Sequence, residues 1–185
     1  MSEPRREPPL YNAVIKTETN DPEFVVRELS DFAHIDLRGD SADEEFREAV
    51  IRVTGLELPV SANTRAEHDG KAIFWLAPDR WLLLVPQGTE KDMEDRLRSS
   101  LTGHYAVTDI SSGQTVISLS GADAEVVIRK SSPYDLSRLN TDRCAQTVFA
   151  KTQVLLWRQT ENEFQLVVRR SFADYLSQWL LDAYR

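Results

Sequence analysis

Residues 25 to 39, "VVRELSDFAHIDLRG", align with residues 107 to 121, "VTDISSGQTVISLSG", at a spacing of 82. Ile35 and Leu37 fall on Ile117 and Leu119, and Gly39 falls on Gly121. Held at that spacing, Ala42 meets Ala124, Phe46 meets Ile128, Trp75 meets Trp157, and Leu82 and Leu84 meet Phe164 and Leu166. Thr89 and Asp92 meet Ser171 and Asp174. A spacing without gaps that recovers a glycine, a tryptophan and a helix start is the mark of a structural repeat. The expected organisation is a tail over residues 1–20 without fixed structure, a first repeat over 21–103 and a second over 104–185, packed as one compact domain. The tail holds three prolines and many charges, a composition that resists folding.

Each repeat is expected to start with two short strands, 24–28 and 33–38 in the first, 105–110 and 114–119 in the second. Alternation supports this, with Val116, Ser118 and Ser120 on one side and Ile117 and Leu119 on the other. A helix follows. In "DSADEEFREAVIRVTG" the pair Ser41-x-x-Glu44 has the form of a capping box, Phe46, Ala49, Val50 and Val53 share a face, and Gly55 suits a left-handed stop. In "GADAEVVIRKSSP" the buried stripe is Ala124, Val127 and Ile128, and Pro133 ends the helix. Hairpins come next, 71–76 with 80–85 turning at Ala-Pro-Asp-Arg, and a counterpart turning at Gln-Thr-Glu-Asn. Thr89 and Ser171 are expected to cap the last helices, the second with Phe172, Leu176, Trp179 and Ala183 as its apolar stripe. The result is an α+β fold: a duplicated β-β-α-β-β-α unit of antiparallel sheets with packed helices.

The chain of 185 residues is 41% hydrophobic and 28% charged, the balance of a globular protein with a real core. No apolar run reaches the ~20 residues of a membrane span, and the start has no signal-peptide pattern. One cysteine permits no internal disulfide, so a cytoplasmic location is expected. A net charge of -8 argues against nucleic acid as partner. The charge is uneven: residues 129–185 carry nine Lys and Arg against six Asp and Glu, a division that can orient a chain on a charged partner.

No nucleotide-binding or nucleophile-elbow motif is present, and "DISSGQT" reads as a turn between strands. His34, His68 and His104 share no close spacing with acids and read as structural or exposed. The acids of "DSADEEFREA" suit a helix N-terminus rather than a metal. Cys144 lacks an evident base and reads as a buried or strand-edge thiol, and the four tryptophans sit at core-compatible spacings. No catalytic, cofactor-binding or metal residue is therefore expected. Arg169 and Arg170, between a valine run and a helix, remain: solvated, gripping an anion, or docking on a partner. They are the candidate partner-interface residues.

The stretches "FWLAPDRWLLLVP", "LSGADAEVVIRKSSPYDL", "CAQTVFAKTQVLLWR" and "VVRRSFADYLSQWL" together resemble the gamma subunits of bacterial heterotetrameric sarcosine oxidases, from about residue 25 to the C-terminus. The resemblance implies a fold similar to the folate-binding domain of the glycine-cleavage T-protein. It implies a complex that oxidatively demethylates sarcosine to glycine, producing hydrogen peroxide and, with tetrahydrofolate, methylenetetrahydrofolate. It places FAD, FMN, NAD, tetrahydrofolate and zinc in the alpha, beta and delta partner subunits, with none in this chain, and makes alpha the expected direct contact. Relatives of this fold that assist iron–sulfur proteins carry Lys-Gly-Cys-Tyr-x-Gly-Gln. Asp142-Arg-Cys-Ala-Gln146 lacks the Lys-Gly pair and the second glycine, so that role does not transfer to Cys144. The competing reading is a stand-alone tetrahydrofolate-binding protein or an iron–sulfur or one-carbon accessory protein.

Overall fold

The computed structural model describes residues 23–185; the tail expected over residues 1–20 lies outside them. In chain order the elements are β1 (Val25–Leu29), β2 (Phe32–Arg38), α1 (Glu44–Thr54), β3 (Arg65–His68), β4 (Lys71–Ala77), β5 (Arg80–Pro86), α2 (Glu90–Ser100), β6 (Ala106–Asp109), β7 (Gln114–Ser120), α3 (Ala124–Ser131), β8 (Cys144–Phe149), β9 (Thr152–Thr160), β10 (Glu163–Arg169) and α4 (Ala173–Tyr184). This is a duplicated α+β fold with antiparallel pairing. Each repeat carries one short strand more than expected, β3 and β8, ahead of its hairpin.

The compact units are not the sequence repeats. One unit holds the described residues up to Ser30, Ser112–Thr141 and Ala145–Arg185; the other holds Asp31–Ser111 and Asp142–Cys144. The first sheet runs β1-β7-β10-β9-β8 and the second β3-β4-β5-β2-β6. The two opening strands of a repeat therefore do not pair with each other. β1 pairs with β7, while β2 pairs with β5 and β6. Each repeat lends its first strand to the sheet that holds the second strand of the other repeat.

In the first unit, Phe24, Val26, Ile117, Leu119, Phe164, Leu166 and Val168 pack with Val127 and Ile128 of α3 and Leu176 and Leu180 of α4. In the second, Ile35, Leu37, Ile73, Trp81 and Leu83 pack with Phe46, Val50, Met93 and Leu97. The opposite faces are buried too: Val116, Trp157 and Val167 in the first sheet, His34, Phe74, Leu82 and Leu84 in the second. A strand covered on both faces loses alternation and reads as an apolar run, which accounts for "WLLLV".

The spacing of 82 holds for Ile35, Leu37 and Gly39 against Ile117, Leu119 and Gly121. Both glycine N–H groups donate to the following hairpin turn, Gly39 to Asp79 O at 3.2 Å and Gly121 to Asn162 O at 3.0 Å. Beyond them the spacing changes. The buried positions Phe46, Ala49, Val50 and Val53 of α1 correspond to Ala124, Val127, Ile128 and Ser131 of α3, a spacing of 78. From the hairpins onward it is 83, because core-facing Trp81 and Leu83 correspond to Phe164 and Leu166. The tryptophan match is thus a coincidence. Trp75 lies opposite Trp81 on the core face, whereas Trp157 lies opposite Gln165 on the other face. A slip of one residue in a strand reverses every side chain.

The caps also differ from expectation. Asp43, not Ser41, caps α1, its carboxylate accepting from Glu45 N at 2.9 Å and Phe46 N at 3.4 Å. Asp40 bends the preceding chain by accepting from Ala42 N at 2.8 Å, which leaves Ser41 outside the helix. Gly55 ends α1 at φ 76°, as a left-handed stop requires. Thr89 sits at the N-cap of α2 but donates its hydroxyl to Pro86 O at 2.7 Å. Ser171 lies inside a 3-10 turn, Arg170–Phe172, and Phe172 takes the cap position of α4. The buried face of α4 is Ala173, Leu176, Ser177 and Leu180, with Trp179 and Ala183 half-covered beside it. Phe172 points off that face because it precedes the helix.

Candidate functional site

Arg169 ends β10, opposite Gln114 of β7. Phe164, Leu166 and Val168 face the core and set Arg169 on the other side of the strand. It is exposed and forms no ion pair with a described residue. Arg170 opens the 3-10 turn and is half-buried. Phe172 closes that turn with 41% of its surface exposed. Strand end and turn thus carry two guanidiniums and an aromatic ring within four residues, the chemistry enriched at interface anchors. Gln114 Oε1 is buried there without a hydrogen-bond partner.

The other candidates separate into surface and core. Cys144 is fully buried at the start of β8. Its Sγ lies 3.5 Å from Thr64 O and 3.8 Å from Trp75 O, and donates to those carbonyls. Burial pushes its pKa up to about 12 against the opposing pull of Arg65 and Arg143. A thiol so protonated is a poor nucleophile and metal ligand. His34 is buried in β2 with both ring nitrogens unpartnered, and burial pushes its pKa down to about 4 while Asp109 pulls the other way. His68 and His104 are exposed. "DISSGQT" forms a 3-10 turn, where Ser111 Oγ accepts from His34 N at 2.8 Å and donates to Asp109. No group of three or more His, Cys, Asp or Glu suited to a metal occurs among the described residues.

One polar assembly was not legible in the sequence. Arg158 donates to Leu139 O at 3.1 Å, Glu161 O at 2.8 Å and Glu125 Oε2 at 3.2 Å, and its guanidinium lies 4.4 Å from the Phe164 ring centre. Arg129 shares Glu125 at 2.7 Å and, with Arg158, holds its carboxyl below the usual range. The arrangement ties a loop, a hairpin turn and a helix together, and has the geometry of a structural staple. The hairpin pattern places the strand, but nothing nearby in sequence marks the partners of Arg158.

The fold belongs to a recognisable class. The glycine cleavage system aminomethyltransferase T from Bartonella henselae superposes with a TM-score of 0.63 over 88% of this chain and 46% of that one, at 15% identity. That likeness is one of fold. A chain of the heterotetrameric sarcosine oxidase from Corynebacterium sp. U-96, solved with pyrrole 2-carboxylate, superposes with a TM-score of 0.88 over 96% of this chain and 94% of its own, at 29% identity.

The profile of the sarcosine oxidase, gamma subunit family matches residues 38–185. Sarcosine oxidase subunit gamma of Corynebacterium sp. strain P-1 is 34% identical over 73% of this chain and 68% of its own length. The Arthrobacter sp. subunit is 36% identical over 73% and 68%. The chain belongs to the sarcosine oxidase gamma subunit family. No helix among the described residues is long and apolar enough to cross a membrane.

Proposed function

We propose that this chain is a non-catalytic structural subunit of a cytoplasmic sarcosine oxidase complex. The complex demethylates sarcosine to glycine, with hydrogen peroxide and methylenetetrahydrofolate as the other products. FAD, FMN, NAD, tetrahydrofolate and zinc reside in the alpha, beta and delta subunits, and this chain contacts alpha directly. The observation that carries the reading is the superposition on a chain of a heterotetrameric sarcosine oxidase along nearly its whole length. The burial of Cys144 and His34 adds support, since it withdraws both groups from substrate.

Arg169 and Arg170 are the docking residues of this reading. The full-length chain, tagged in its native host and isolated gently, is expected in a large yellow assembly, read by mass and visible absorption together. A colourless particle of its own mass overturns the reading, and heat on titration with tetrahydrofolate then favours a folate-binding protein. Changing both arginines to Glu is expected to weaken assembly by about tenfold or more without altering the melting temperature. Unchanged assembly removes the two residues from the interface.

A further inference from the structure

The second unit holds its elements in unbroken chain order, β2-α1-β3-β4-β5-α2-β6. The first unit repeats them as β7-α3-β8-β9-β10-α4, and β1 takes the last place. β1 borders β7 as β6 borders β2, antiparallel and at the edge of its sheet. The registers agree. Val26 lies opposite Leu119 and Val107 opposite Leu37, and both valines are core residues. Two residues ahead of these valines stand Phe24 and Tyr105, each packed on its own core. The first unit is thus a circular permutation of the second.

The permutation changes how the edge strand is held. In the second unit, residues 101–105 lead from α2 straight into β6. Arg98 of α2 donates to Val107 O, and Tyr105 Oη donates to Arg98 O at 3.1 Å. In the first unit the residue ahead of Phe24 is Glu23, so α4 and β1 are joined without a covalent link. There the Tyr184 ring meets the Phe24 ring at 5.0 Å between centroids and 30° between planes. The end of α4 that carries Tyr184 is itself tied to α3: Lys130 Nζ donates to Ala183 O at 2.8 Å, and Trp179 Nε1 donates to Ser131 Oγ at 3.1 Å. An aromatic contact stands where the other unit has a peptide chain.

We infer that β1 is a strap, latched at its entry by Tyr184 on Phe24, that opens while the rest of its sheet stays closed. Its departure costs one strand ladder and the burial of Phe24 and Val26, and leaves the pairing of β7, β10 and β9 intact. β6 has no such freedom, because a short covalent loop holds it at high effective concentration beside α2. Opening of the strap bares the backbone edge of β7, a row of donors and acceptors otherwise paired. The inference is independent of the assembly reading and of Arg169 and Arg170.

Native-state hydrogen exchange on the full-length chain, in urea below the unfolding transition, separates local from global opening. In the wild type, the ladder amides shared by β1 and β7 are expected to exchange about tenfold or more faster than those shared by β6 and β2. Tyr184→Ala is expected to speed the β1 amides by about a further tenfold, with β9 and β10 within about twofold of wild type. Tyr184→Phe keeps the ring and the wild-type exchange. In Tyr105→Ala, β6 loses protection only together with β2 and β5. Wild-type β1 exchanging in step with β9 and β10 overturns the strap, whether or not any variant folds. Unaltered β1 exchange in Tyr184→Ala overturns the latch, and loss of protection in β6 alone overturns the contrast between the units.

Discussion

A Cβ built on Gly121 would lie 2.2 Å from the carbonyl oxygen of Glu23. The same carbonyl accepts from Asp123 N at 2.9 Å, so the entry to β1 is pressed against the turn between β7 and α3. Gly121 also has φ 113°, which side-chain-bearing residues rarely adopt. Gly121→Ala must move backbone and is expected to cost about 2–4 kcal/mol. Gly113→Ala, with open space and no positive φ, is expected to fall within about 0.5 kcal/mol of wild type. Urea denaturation of both distinguishes a crowded glycine from an incidental one.

The strand exchange makes the repeats interdependent. β1 contributes Val26, with Phe24 just before it, to the first-unit core, yet these residues lie ahead of the second unit in sequence. A chain lacking residues 1–30 loses both side chains and leaves the β7 edge open. It is expected to lose about 4 kcal/mol or more from that unit. Hydrogen exchange is expected to show lost protection in β7 and β10 with protection retained in β5. Unaltered protection in β7 refutes the interdependence.

His34 should couple stability to pH. Its folded pKa is lowered to about 4 from 6.5 by burial, so the unfolded chain binds the proton more readily. Its contribution is fully present above pH 6.5, declines as pH falls between 6.5 and 4, and changes no further below. The steepest slope is about 1.4 kcal/mol per pH unit. His34→Leu is expected to remove that increment from the pH dependence of unfolding, measured against wild type from pH 7 to 4.

Cys144 should be nearly inert in the folded chain. A pKa raised from 9.0 to about 12 lowers the thiolate fraction at pH 8 by roughly a thousandfold, and burial adds a steric barrier. Iodoacetamide labelling followed by mass spectrometry is expected to be at least that much slower in buffer than in denaturant. Comparable rates would mean that the segment around Cys144 opens readily.

The sequence by itself determined most of the elements, because they rest on local rules. Phe46, Ala49, Val50 and Val53 share a helical face whatever surrounds them, Gly55 ends the helix through its own φ, and "LAPDR" turns where its proline directs. It also determined the repeat, through Gly39 and Gly121, and the resemblance that the family profile bears out. Tertiary structure decided the rest. The strand that receives β1 depends on pairing between residues 87 to 95 positions apart, which no local pattern encodes. Trp75 and Trp157 face opposite ways because the hairpin spacing is 83 and not 82, and a strand with both faces buried has no alternation to reveal the slip. Asp43 displaced Ser41 as cap because Asp40 had already bent the chain. Cys144 and His34 became inert through desolvation, and Arg158 became a staple through acceptors distant in sequence, Leu139 O and Glu125; burial and long-range hydrogen bonds exist only once the chain is folded.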